Sequence, residues 1–256
     1  MGNVMPGGMM RRHSDGVSFR VYPPVYSRIR KIVCLANSSK NGERCIAGID
    51  LSTRRWVRPI DRNTHEGEVR SSLCRIIRDN AEHDLKLLDV FKANLDDDGE
   101  SYGFQIENRW INNGSWVFSG RMSVKDLKPF VSHARSPLHS DKRYWSHDEL
   151  CKLAQDEKCS LQLVETKYFE CKLDSKRNYP DWRADLKTTI GISMYNLPLR
   201  DPVFVSKLES GLQPSNHCYL SLSFTMPWVK EEGSSKNCTK LIVGVIEIQD
   251  SMVDDT

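Results

Sequence analysis

Nine basic residues fall between positions 28 and 62 (Arg28, Arg30, Lys31, Lys40, Arg44, Arg54, Arg55, Arg58 and Arg62), against three acidic ones, Glu43, Asp50 and Asp61. The whole chain carries a net charge of only +3, so this stretch, at +6, leaves the remainder at −3. Arginine and lysine neutralise phosphates and release counterions, which makes such an asymmetry a candidate polyanion-binding surface. A solvated charged face is the plain alternative. Trp56, set between Arg55 and Arg58, offers a ring on which a base could stack. It could equally be core, with the arginines snorkelling around a barrel end. Asn37 and Ser38 end an apolar run ahead of Asn41-Gly42, where their amide and hydroxyl could bond a base edge or nucleotide, or simply cap the turn. The candidate contact set is therefore Lys31, Asn37, Ser38, Lys40, Arg44, Arg54, Arg55, Trp56 and Arg58. Farther on, Lys240 opens an apolar strand and is expected to keep its ammonium at the rim, toward a ligand or solvent. Lys187 also sits beside an apolar run, and Asp201 before Pro202 reads as a turn former.

Catalytic patterns are missing. There is no G-x-S-x-G elbow, no phosphate-binding Walker loop, no H-E-x-x-H and no His-x-Glu with a cysteine pair, so no enzyme activity is expected. His133, His139 and His147 are spaced by six and eight residues, which no standard metal site requires. A calcium loop starting at Asn94 would put Gln105 where a bidentate Glu is needed, so Asp96 to Glu100 is read as a hairpin turn. The eight cysteines include no CxxC pair, and several lie in apolar runs; reduced, buried thiols are expected, with no metal and no cofactor.

These residues need elements to hold them. Short apolar runs with β-branched enrichment follow one another from Ile29: Lys31–Ala36, Arg44–Leu51, Trp56–Ile60, Leu85–Ala93, Tyr102–Ile111 and Trp116–Val124. Tyr102, Phe104, Ile106, Asn108 and Trp110 alternate with polar residues, as a half-buried antiparallel strand does. A second series comprises Leu161–Val164, Tyr168–Leu173, Ala184–Leu197, Tyr219–Trp228 and Thr239–Gln249. Leu241 to Ile246 is continuously apolar and is expected to be buried on both faces. Between the series, Ser146-His147-Asp148-Glu149 reads as a helix start. At 256 residues, 39% hydrophobic and 28% charged, the chain can build two cores. The expected fold is all-β with minor α: two consecutive small barrels at 28–135 and 158–250, a helical or loop joint at 136–157, and tails at 1–27 and 251–256. A single sandwich is the alternative.

No apolar run reaches membrane-spanning length and the opening residues contain no secretory segment, so a cytoplasmic protein without membrane partners is expected. The sequons at Asn37, Asn113 and Asn237 have no role in that setting. Pro6 argues against myristoylation of Gly2.

Lys31-Ile32-Val33-Cys34-Leu35-Ala36-Asn37-Ser38, Arg44-Cys45-Ile46-Ala47-Gly48 and Trp56-Val57-Arg58-Pro59 resemble the opening signature of the dual OB-containing domain family. Leu197 to Pro202 is similar to that family's strand ending in a Thr-Asp-Pro turn, with Arg200 in place of Thr. Leu220 to Trp228 and Cys238 to Ile242 are similar to its closing strands. The resemblance implies a pair of OB-type barrels, for which nucleic-acid binding is the usual inference. The functional expectation is thus a nucleic-acid-binding module, DNA or RNA, using a basic face of the first barrel. The alternative is a small-ligand or protein-interaction sensor built on Asn37-Ser38.

Overall fold

The computed structural model describes residues 28–40, 42–175 and 181–248; the expected tails at 1–27 and 251–256 lie outside them. The first strands are β1 (Arg28–Lys40), β2 (Glu43–Asp50) and β3 (Arg55–Ile60), followed by the hairpin β4 (Arg75–Arg78) and β5 (Ala81–Asp84). Then come β6 (Asp89–Leu95), β7 (Asn108–Trp110) and β8 (Trp116–Arg121). They form one sheet ordered β5-β4-β8-β6-β1-β2-β3-β7. Closure comes from β7, which pairs in parallel with β3 and leads into β8 beside a Leu95–Ile111 bridge. A sheet closed in this way leaves few unpaired edges.

The second sheet contains β9 (Tyr144–Ser146), which precedes helix α1 (His147–Lys152), then β10 (Leu161–Asp174), β11 (Asp181–Thr188) and β12 (Ser193–Pro198). Helix α2 (Pro202–Glu209) links these to β13 (Cys218–Phe224) and β14 (Asn237–Glu247). The order is β12-β11-β10-β13-β14-β9, and a parallel Leu199–Ile242 bridge brings the end of β12 onto β14. Ser146 caps α1 as the sequence signal predicts, its side chain accepting from the Glu149 amide.

Each barrel has its own apolar interior. Ile32, Cys34, Ile46, Val57, Phe91 and Trp116 fill the first, with the Phe91 and Trp116 rings stacked at 4.9 Å. Phe169, Leu186, Leu197, Leu220 and Ile242 fill the second. A third cluster joins them: Val33, Leu35 and Ile49 pack with Leu163, Tyr219 and Ile246. β1 and β14 therefore bury side chains on both faces, which is why their sequences are continuously apolar rather than alternating. Where they cross, Gly244 presents bare backbone: a Cβ there would stand 2.2 Å from the Leu35 carbonyl oxygen.

Several expected elements take a different form. Tyr102 to Glu107 is not strand; it turns, with Tyr102 at φ 47°, and only Asn108–Trp110 pairs. Local side-chain bonding competes with the ladder there, because the Asn108 amide donates to the Glu100 carbonyl at 2.6 Å and to Gln105 Oε1 at 3.0 Å. Phe104 drops instead into the second barrel's core. Ala184–Leu197 divides into β11 and β12 at a turn, and the two expected runs from Leu161 to Leu173 form one long strand. Asp201 does more than turn the chain: it caps α2, a helix the apolar pattern did not announce.

Candidate binding surfaces

The cations of the opening strands are not gathered on one wall. β1 alone separates Lys31 from Lys40 by nine residues, roughly 30 Å of extended chain. Lys31 is exposed beside Lys92 of β6, and Arg54 and Arg55 lie near that same end, at the β2–β3 turn. Lys40 and Arg44 occupy the far end, in the β1–β2 hairpin. Arg58 points between the barrels.

Most of the cations are also matched by carboxylates. Arg28 and Arg30 both reach Asp97, at 3.2 and 2.7 Å, and Arg30 reaches Asp50 at 3.0 Å. Lys40 pairs with Glu66 and Glu68, Arg62 with Asp96 at 2.5 Å and Arg70 with Asp61 at 2.5 Å. Among the described residues, no carboxylate lies in ion-pair reach of Lys31, Arg44, Arg54 or Arg55. Arg54 instead stacks over the Phe130 ring at 4.8 Å. Arg44 joins Val69 through a pair of backbone hydrogen bonds.

Arg58 and Trp56 are interface residues. Arg58 Nη2 donates to Ser160 Oγ at 3.0 Å and Ser223 Oγ at 3.2 Å, and meets Glu107 at 3.3 Å. Trp56, half-buried, packs against both interface clusters, with Ala36, Ala47, Leu161 and Val243 in one of them. Its ring is a seam between barrels and not an open platform for a base.

Lys240 is fully buried, so the rim position is corrected. Its ammonium donates to the Pro137 carbonyl at 2.7 Å, the Ser140 carbonyl and Ser140 Oγ at 3.1 Å, and faces the Phe224 ring. Burial pushes the amine down to about 8. Leu138 and His139, which lie between the two residues whose carbonyls meet the amine, both adopt left-handed backbone.

Asn37 and Ser38 also separate. Ser38 is buried, whereas the Asn37 amide donates to the Leu85 carbonyl at 2.6 Å and its Oδ1 has no hydrogen-bond partner. Asn37 lines a groove of about 1650 Å³ between the barrels. One side comes from Leu85 to Leu88 and Arg121 to Lys125; the other comes from the start of α2 and from Glu247 and Ile248.

A further surface was not anticipated. On the outer face of β10–β12 stand Tyr168, 41% exposed, and Tyr195, 66% exposed. Lys187 of β11, also exposed, is the strand partner of Tyr168 and of Ser193. The Tyr168 phenol is pushed up first by its hydrogen bond to Glu170, with smaller contributions from Asp185 and Tyr195. Lys172 holds Asp185 at 2.6 Å. The alternation of Tyr168 with buried Phe169 and of Tyr195 with buried Met194 was the available signal. It was hidden because both runs read as apolar.

No cluster of three metal-ligating side chains exists among the described residues. All eight cysteines are free, and burial pushes the thiols of Cys74 and Cys171 up to about 12 and that of Cys159 to about 11. Cys159 lies 3.6 Å from His139 Nε2, yet burial holds that imidazole down and the thiol up, so the pair is kept neutral. Among the described residues, no helix is long and apolar enough to cross a membrane.

No curated protein and no solved structure matches the chain. A family model described as the dual OB-containing domain matches residues 30–245, running from β1 into β14 and so across both closed sheets. The two barrels that share the β1–β14 seam thus account for the matched span, and the chain belongs to the dual OB-containing domain family.

Proposed function

We propose that the protein is a non-catalytic module of the cytoplasm that binds single-stranded nucleic acid on the outer face of its second barrel. The observation that carries this reading is the pair of exposed rings, Tyr168 and Tyr195, with Lys187 on the strand between them. A single strand needs flat apolar faces for its bases and cations for its phosphates, and any base can use such a platform. The opening strands supply charge without an open ring, since Trp56 is packed in the seam. Lys31, Arg44, Arg54 and Arg55 keep charge that carboxylates do not consume, and these add a long-range attraction. Eight free cysteines support a reducing compartment.

The test is fluorescence polarisation with labelled oligothymidylate and oligouridylate at low salt. Tyr168→Ala and Tyr195→Ala should each weaken binding by about 1–3 kcal/mol, or roughly 5- to 150-fold. Lys187→Ala should reduce the salt slope by about 0.7, the value for one single-strand phosphate. Undiminished binding by both tyrosine variants would remove the platform, and no binding at low salt would remove the function.

A further inference from the structure

The groove between the barrels has a different chemistry from the tyrosine face. We propose that it docks a peptide segment of a partner protein, rich in aspartate or glutamate and in aliphatic side chains.

Four cations line it, Lys86, Arg121, Lys125 and Lys207, against two carboxylates, Asp201 and Glu247. Both carboxylates are occupied from within: Asp201 accepts from the amides of Val203, Phe204 and Val245, and Glu247 from that of Ser215. Arg121 is held by Asp89 at 2.7 Å, whereas no carboxylate among the described residues reaches Lys86, Lys125 or Lys207. All three lysines are exposed. The groove therefore presents unmatched positive charge from both barrels.

Its apolar lining decides which polyanion fits. The accessible carbon comes from Leu87, Val124, Val203 and Ile248, with Val203 62% exposed. The only aromatic residues in the lining, Phe204 and Tyr219, are buried at 2% and 4% exposure and show no ring face to a ligand. Bases would find nothing to stack on, while Leu, Ile or Val side chains would find aliphatic partners. The space exceeds the roughly 300–1,000 Å³ that suits a small ligand and matches an extended segment.

The experiment pans a displayed random peptide library on the full chain and measures the enriched peptide by fluorescence polarisation. Enriched sequences should combine acidic and aliphatic residues. Combined Lys86→Glu, Lys125→Glu and Lys207→Glu should weaken the peptide at least about tenfold and reverse the salt dependence, so that added salt strengthens the residual binding instead of weakening it. Val203→Asp, at an exposed position, should weaken it as well. Tyr168→Ala and Tyr195→Ala should leave it unchanged, which separates this site from the proposed nucleic-acid platform. The proposal is overturned if nothing enriches, if basic or neutral peptides enrich, or if the lysine reversals leave affinity intact. It is also overturned if oligothymidylate displaces the peptide and loses affinity to the same reversals, since the groove would then hold nucleic acid. A dimer in sedimentation that the reversals dissolve would give the groove to a second copy of the chain.

Discussion

Gly244 of β14 passes so close over Leu35 of β1 that a Cβ added to it would stand 2.2 Å from the Leu35 carbonyl oxygen and 3.4 Å from Ser221 Cβ. The obstructing atom is backbone, so no rotamer change can relieve it. Gly244→Ala must push the two barrels apart or bend a strand, and should cost about 1–3 kcal/mol. Urea unfolding would measure this; a loss under half a kilocalorie would mean the seam is loose.

Arg58 ties the barrels by side-chain bonds where Gly244 does so by contact. Its removal leaves Glu107, 6% exposed, with Ser160 as its one side-chain partner among the described residues. Arg58→Met should destabilise by about 3 kcal/mol, and adding Glu107→Gln should cost less than the sum of the two single changes. Oligonucleotide affinity, measured on the folded fraction, should not follow the stability loss. A parallel fall in affinity would return Arg58 to the contact set.

Lys240 makes stability depend on alkaline pH. Its folded amine, pushed down by burial to about 8, releases a proton that the unfolded chain still binds up to the ordinary 10.5. The contribution is therefore full above the unfolded value and is lost as pH falls toward the folded one, with a slope of at most about 1.4 kcal/mol per pH unit. Denaturation of wild type and Lys240→Met across this window should show the wild type gaining relative to the variant as pH rises. The opposite trend would mean that the carbonyl oxygens of Pro137 and Ser140 stabilise the ammonium more than burial penalises it.

Asp50 works at the acid end. Burial raises its carboxyl, but hydrogen bonds from Ser52 and Arg30, with the Arg30 charge, outweigh that and hold it below the usual value. Its stabilisation is present above the unfolded pKa and is lost as pH falls through the lower folded one. Asp50→Asn should be less stable at neutral pH and should lose stability less steeply below about pH 4. Equal acid slopes would show that the Ser52 and Arg30 bonds carry no charge-dependent stability.

What the sequence by itself determined is the β-rich architecture and one of the two strands at its centre. The run Leu241 to Ile246 lacks alternation because it faces two cores, and that is readable without coordinates; that Lys31 to Ala36 also faces two cores emerges only from the packing. Tyr102 to Trp110 misled because alternation of apolar and polar types is blind to where Asn108 sends its amide. The candidate site was less legible still. Counting charge along the chain names the cations but not the faces they occupy, and whether Arg58 meets a phosphate or Ser160 and Ser223 depends on residues more than a hundred positions away. Likewise Asp96 and Asp97, which neutralise Arg62, Arg28 and Arg30, read as a turn in the sequence; Asp97 becomes a partner only when β6 lies beside β1, and Asp96 only when β7 lies beside β3. Local patterns set which way a strand's side chains point. Only the closure of the sheets, and the packing of one barrel on the other, decides which charges are cancelled, which lysine is entombed and which rings are left to solvent.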